Sequence, residues 1–145
     1  MRISTKGRYA LRMLLYLAEN KNDRYISLKE IANNQSLSKK YLEQIVPALT
    51  KNGLLQTNRG AHGGYKLNRE PDKYTVGAVL RMTEGSLSPA ACIEGEYVNY
   101  ENGGGCETLF IWQGLNEAIS SYLNSITLQD ILNNSQEMYA NNYMI

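Results

Sequence analysis

Lys39, Lys40, Glu43, Gln44 and Lys51 fall on one face of a predicted helix, opposite its apolar residues. Ammonium groups attract phosphate oxygens whatever the sequence, whereas an amide and a carboxylate make directional hydrogen bonds that distinguish partners. Glutamine can pair bidentately with adenine, and glutamate can accept from the exocyclic amine of cytosine. Ser38, Lys39, Lys40 and Tyr41 are better suited to phosphates, which position a protein without specifying a sequence. Further on, Arg59 begins the run Arg-Gly-Ala-His-Gly-Gly-Tyr. A guanidinium at the tip of such a loop can enter a narrow minor groove, where the negative potential is enhanced. Gly60, Gly63 and Gly64 permit positive φ and close backbone approach. His62, the only histidine, reads as a solvated loop residue with no catalytic role.

The elements that must hold these side chains are legible on either side. Ser27 followed by Glu30 is a capping box, with the hydroxyl accepting from the amide three residues on and the carboxylate reaching back. Leu28, Ile31 and Ala32 mark the inner face of a short helix ended by Asn33, Asn34 and Gln35. Ser38 caps a second helix, whose apolar face is Leu42, Ile45, Val46 and Leu49. Pro47 lies inside it and favours a bend. Gly53 suits the position just past its end. Extended runs at Leu54–Thr57 and Tyr65–Leu67 flank a loop from Asn58 to Gly64. Helix, turn, helix and β-hairpin in that order predict a winged helix-turn-helix, a mainly α fold with a small β-hairpin wing. The plain alternative is a small α+β domain whose lysine face is merely solvated.

Charge is distributed unevenly. Residues 1–81 hold all 15 Lys and Arg with 6 Asp and Glu, whereas residues 82–145 hold 8 acidic residues and no Lys or Arg. A basic first part can engage a polyphosphate, while an acidic remainder is held away from it. No run approaches the ~18 apolar residues of a membrane span, and the N-terminus lacks a signal-peptide core. Two cysteines make no secreted disulfide framework, so a cytoplasmic location is expected. No carboxylate pair, metal motif or nucleophile constellation points to an enzyme.

Three segments are expected: residues 1–81 as the winged domain, 82–106 as a sensor-type loop, and 107–145 as a pairing helix and tail. Ser4 or Thr5 opens a first helix with Ala10, Met13, Leu14 and Leu17 buried. Glu-Pro-Asp at 70–72 is a turn, and Thr75 opens a helix closing near Gly85. In the last segment Trp112, Leu115, Ile119, Tyr122 and Ile126 are spaced as a heptad seam, widened by Ile111, Ala118 and Leu123. A helix apolar on two sides needs two partners, the winged domain and the same helix of a second chain, or else it is buried within a monomer. Two-fold pairing would present two recognition helices to a pseudo-palindromic duplex. Thr127 is expected to cap a short helix, Leu128 to Leu132, followed by a polar tail ending Tyr143-Met144-Ile145.

The opening Met-Arg-Ile-Ser-Thr-Lys-Gly-Arg-Tyr-Ala, Tyr-Leu-Glu-Gln at 41–44, Arg-Gly-Ala-His-Gly-Gly-Tyr at 59–65 and Ile-Thr-Leu at 126–128 together resemble the IscR/NsrR/CymR group of bacterial winged-helix regulators. The resemblance covers nearly the whole chain. It implies a homodimer with a long dimerisation helix and transcriptional regulation, mostly repression. It makes Glu43 and Gln44 base-reading residues and Arg59 the minor-groove residue of the wing; Gly60 beside it is a further expected DNA-binding residue, and Trp112, Leu115, Ile119 and Tyr122 of the seam are the expected dimerisation residues. Cys92 and Cys106 match the first and last loop cysteines of the cluster-binding members. There is no middle cysteine, and Leu109 stands where the IscR type has histidine, so an IscR-like iron–sulfur sensor remains the alternative. A reversible Cys92–Cys106 thiol switch and two inert cysteines are the other readings. The tail resembles the CymR branch, repressors of cysteine metabolism that work with O-acetylserine sulfhydrylase, an enzyme that binds a terminal isoleucine. Tyr143, Met144 and Ile145 are then a partner-binding end, or else a frayed terminus packed on the dimer. An interaction module acting on that enzyme is the alternative of a different class.

Overall fold

The computed structural model describes residues 1–21, 23–94 and 107–143. They form α1 (Thr5–Glu19), α2 (Leu28–Gln35), α3 (Lys39–Lys51), β1 (Leu55–Asn58), β2 (Gly64–Leu67), α4 (Val76–Glu84), α5 (Leu109–Ser125) and α6 (Leu128–Tyr143). Short 3-10 turns lie at Pro71–Lys73 and Ala91–Ile93. The mainly helical fold with one antiparallel hairpin is the one the sequence predicts. Among the described residues, no helix is long and apolar enough to cross a membrane.

Hydroxyl caps start five of the six helices, as helix-end chemistry demands of otherwise orphaned amides. Ser4 accepts from the Gly7 amide at 3.4 Å, Ser27 from Glu30 at 3.1 Å and Ser38 from Tyr41 at 3.2 Å. Thr75 accepts from Ala78 at 3.1 Å and Thr127 from Asp130 at 3.1 Å. At Thr127 the box closes reciprocally, its own amide donating to Asp130 Oδ2 at 2.9 Å. At Ser27 it does not close as expected. The Glu30 carboxylate instead accepts two hydrogen bonds from Arg24, at 2.8 and 3.0 Å, and one from the Tyr16 hydroxyl at 3.3 Å. The Arg24 hydrogen bonds hold that carboxyl below the usual glutamate range. A charged fork outcompetes a single backbone amide.

The expected apolar stripes meet in one core. Ala10, Met13 and Leu14 of α1, Ile31 of α2 and Leu42, Ile45 and Leu49 of α3 are wholly buried. The hairpin pairs Leu55 with Leu67, Gln56 with Lys66, Thr57 with Tyr65 and Asn58 with Gly64. Tyr74 ties its base to this core. Its hydroxyl donates to the Leu54 carbonyl at 2.6 Å and accepts from the Asn68 and Arg69 amides at 3.0 and 3.2 Å. Burial pushes that hydroxyl pKa up.

One expectation is corrected. The last helix runs sixteen residues to Tyr143 instead of stopping at Leu132. No Gly or Pro interrupts residues 126–145, so nothing in the asparagine-rich stretch stops propagation once Thr127 and Asp130 have capped it. A boundary after residue 81 falls inside α4, which continues to Glu84. Leu128 of the last segment is fully buried in the main core. Thr75 pairs with Thr127 in an isolated β-bridge, and the Val76 amide donates to the Ile126 carbonyl at 2.9 Å.

Tyr74→Phe is expected to remove one hydrogen bond each from the Leu54 carbonyl and the Asn68 and Arg69 amides, the first two keeping their mutual bond at 3.3 Å, and to cost about 1–3 kcal/mol. Urea unfolding measures it, and a midpoint equal to wild type would contradict the assigned role.

Candidate nucleic-acid interface

The turn between α2 and α3 places the second helix on the surface. Ser36 closes α2 in the left-handed region at φ 53°, and Leu37, 7% exposed, plugs the turn into the core. From the Ser38 cap, α3 then alternates cleanly. Leu42, Ile45, Val46 and Leu49 face inward, and Lys39, Lys40, Glu43, Gln44 and Lys51 are exposed. Pro47 stands on that outer face, and the helix is assigned as one element through it. Its missing N–H leaves a carbonyl one turn back for solvent or a ligand. Lys39 and Glu43 approach to 3.9 Å, an exposed pair of little energetic weight that either partner can leave.

The hairpin stands beside this face because its second strand bonds to the segment preceding α2. Ile26 donates to the Tyr65 carbonyl at 2.9 Å and Tyr65 to the Ile26 carbonyl at 2.8 Å. Residue 64 must be glycine there, since a Cβ would lie 2.3 Å from the Ile26 carbonyl oxygen. The loop turns through Gly60 at φ +115°, with the Gly63 amide donating to the Gly60 carbonyl at 3.0 Å. Arg59, Gly60 and His62 are exposed at its tip. Among the described residues Arg59 has no ion-pair partner.

Between α3 and the hairpin lies a concavity of about 670 Å³. Lys29, Lys39, Lys51 and Arg59 line it, with the backbone of Gly60 and Gly63, and no carboxylate does. A groove of one charge with low-dielectric walls concentrates an oppositely charged partner. Lys29 was not foreseen. It lies in the first turn of α2, and the Ile26–Tyr65 bridge, a contact without sequence signature, brings the wing towards it.

Ser38 is exposed, and its oxygen is engaged as the α3 cap. Tyr41 is half-buried, its ring edge-on to Tyr9 with centroids 5.3 Å apart, so it also fastens α3 to α1. In α5, Leu115 and Tyr122 are exposed while Trp112 and Ile119 are half-buried, so the expected seam divides between two sides. The continuous exposed apolar line is Ile111, Leu115, Ala118 and Tyr122. Tyr143 ends α6, and Cys106, Met144 and Ile145 lie outside the described residues.

Cys92 is a free, half-buried thiol on the 3-10 turn at Ala91–Ile93. Among the described residues no three His, Cys, Asp or Glu side chains stand close enough to hold a metal ion. Two cysteines in the whole chain do not fit the four-thiolate iron–sulfur site.

A family model described as Rrf2, iron-dependent transcriptional regulator, matches residues 3–134. The chain is 40% identical over 131 residues to the HTH-type transcriptional regulator CymR of Bacillus subtilis, covering 90% of this chain and 89% of that protein. It is 39% identical over 134 residues to the HTH-type transcriptional regulator IscR of Yersinia pseudotuberculosis, covering 92% and 80% respectively. Its structure is similar to that of CymR (YrzC), the global cysteine regulator of B. subtilis, with a TM-score of 0.76 at 37% identity. That match covers 90% of this chain and 95% of the other.

The division of labour on this face has a measurable consequence. Arg59→Ala and Gln44→Ala are each expected to lose about 1–3 kcal/mol of preference for a selected duplex over a scrambled one. Lys40→Ala is expected to weaken both duplexes alike and to lower the slope of log affinity against log salt by about one. Fluorescence anisotropy over a salt series measures both, and an unchanged slope for Lys40→Ala would contradict its phosphate role.

Proposed function

The chain belongs to the Rrf2 family of transcriptional regulators, and from that premise we propose that it acts as a homodimeric DNA-binding repressor of cysteine and sulfur metabolism genes. The observation that carries the reading is the basic, carboxylate-free groove between α3 and the hairpin. On this reading α3 enters the major groove, with Glu43 and Gln44 at base edges and Lys39 and Lys40 on phosphates. Arg59 extends from the wing into the adjacent minor groove. Relatives of both the CymR and IscR kinds match nearly the whole chain. The donor set favours the CymR kind, because two cysteines fall short of a cluster's ligands.

Pairing is supported by α5. Ile111 is 45% exposed, Leu115 43% and Tyr122 66%, and Phe110 beside them is 73% exposed. These residues recur at helical spacing on one side, the side turned away from the chain's own core. Isolated exposed apolar residues are ordinary, but a continuous line of them marks an interface. A second copy laid along the same line gives a two-fold dimer and two recognition helices for a pseudo-palindromic operator.

Leu115→Glu introduces a charge in the middle of that line. Light scattering after size exclusion should show the mass falling from twice 16.3 kDa to that of one chain, with loss of affinity for the palindromic duplex. A wild-type chain of monomer mass that binds the duplex fully would overturn the dimer. Loss of the gene should raise transcripts for sulfur uptake and cysteine synthesis; unchanged transcripts would overturn the metabolic assignment.

A further inference from the structure

The inner side of α5 is not uniformly apolar. Trp112, Ile119 and Leu123 are half-buried there, but so are Asn116 and Ser120. Neither of those two polar side chains forms a hydrogen bond among the described residues. Both line a concavity of about 280 Å³ instead. It lies where three elements meet: the end of α4 at Arg81 and Gly85, the segment 86–93, and the middle of α5. Leu87, 7% exposed, and Ile93 give it apolar lining. The hydroxyls of Ser86 and Ser88 are already engaged locally, Ser86 accepting from the Ser88 amide at 3.2 Å and Ser88 donating to the Ala90 carbonyl at 2.9 Å.

Arg81 is the cation of this site. Its Nη1 donates to Asn124 Oδ1 of α5 at 2.8 Å, which restrains the exposed guanidinium and uses one of its five N–H donors. Among the described residues it has no carboxylate partner. Glu84, one turn on, is engaged elsewhere, its Oε1 accepting from the Ser4 amide, the Ser4 hydroxyl and the Gly7 amide at 3.1, 2.6 and 3.1 Å. No other Lys or Arg follows Arg81 in the sequence. The site therefore combines an oriented fork with free donors, two uncommitted polar side chains and an apolar wall.

We propose that this concavity binds a small carboxylate carrying a hydroxyl or amino group, of amino-acid or hydroxy-acid size. The planar guanidinium matches a carboxylate bidentately, and Asn116 and Ser120 take the second polar group. At about 280 Å³ the volume falls just below the roughly 300–1,000 Å³ range of small-molecule sites, which suits an occupant smaller than a nucleotide. An occupant would touch α4 and α5 together. On the reading proposed above this would link the ligand to the grip on DNA, but binding itself needs no DNA and is measured without it.

Isothermal titration calorimetry of the full chain, with L-serine, glycolate and inorganic phosphate as probes, tests the site. Saturable one-site heat with L-serine or glycolate is expected. Arg81→Lys keeps the charge but loses the fork and should weaken binding by about tenfold or more. Ser120→Leu should abolish it by filling the cavity. Asn116→Asp, a near-isosteric change that sets one carboxylate against another, should do the same should the leucine variant prove unstable. No saturable heat with either carboxylate at millimolar concentration would overturn the proposal. So would phosphate binding equally well and unaffected by these variants, which would mark a general electrostatic surface.

Discussion

Two backbone hydrogen bonds between Ile26 and Tyr65, 2.9 and 2.8 Å long, set the geometry on which the rest depends. They join the hairpin to the strand-like segment immediately before α2. The wing is thereby held relative to the helix-turn-helix and is not left as a free hairpin, which alone is marginal in water. The close approach requires glycine at 64, where any Cβ would meet the Ile26 backbone. Arg59, Lys29 and, from α3, Lys39 and Lys51 thus border one concavity because of a backbone contact. Their electrostatics follow from that contact.

A second constraint ties the acidic part of the chain to the basic part without mixing their charges. Ile126, Thr127 and Leu128 run alongside Tyr74, Thr75 and Val76, with the Leu128 amide donating to the Tyr74 carbonyl at 3.0 Å. Gly77 lets α5 approach α4 so closely that a Cβ there would lie 2.2 Å from Asn124 Oδ1. Glu84 extends the connection to the start of α1, its single oxygen accepting three hydrogen bonds from Ser4 and Gly7. The helix bearing the exposed apolar line is therefore continuous, through α4, with the lobe that carries the groove. Movement of one has a direct mechanical route to the other.

Much of this was legible in the sequence because it rests on local rules. Ser4, Ser27, Ser38, Thr75 and Thr127 announce helix starts by their own hydrogen-bonding chemistry, and the stripes in α1 and α3 announce which faces are buried. The glycine loop announces the hairpin. What was not legible depends on competition or on distant contacts. Glu30 satisfies Arg24 instead of its own helix start, which no spacing predicts. The α6 continuation was hidden by asparagines of weak helix propensity, which govern only when capping and packing are absent. That α5 is apolar on two sides was legible, but not which residues belong to which side, because Trp112 and Leu115 are both apolar. Only packing on Val76, Leu80 and Leu87 through Leu123 and Ile126 separates the inner side from the outer. Lys29 and the Arg81 site arise from tertiary placement alone.

The central claim is that α3 and the wing act as one rigid reading unit held by the Ile26–Tyr65 contact. It is tested most directly by the affinity of Gly64→Ala for a duplex that the wild-type chain selects, measured alongside its far-UV circular dichroism. The account predicts retained helical signal and a loss of about tenfold or more in affinity, the order of one specific groove contact. Wild-type affinity in a variant that must displace the hairpin would contradict it.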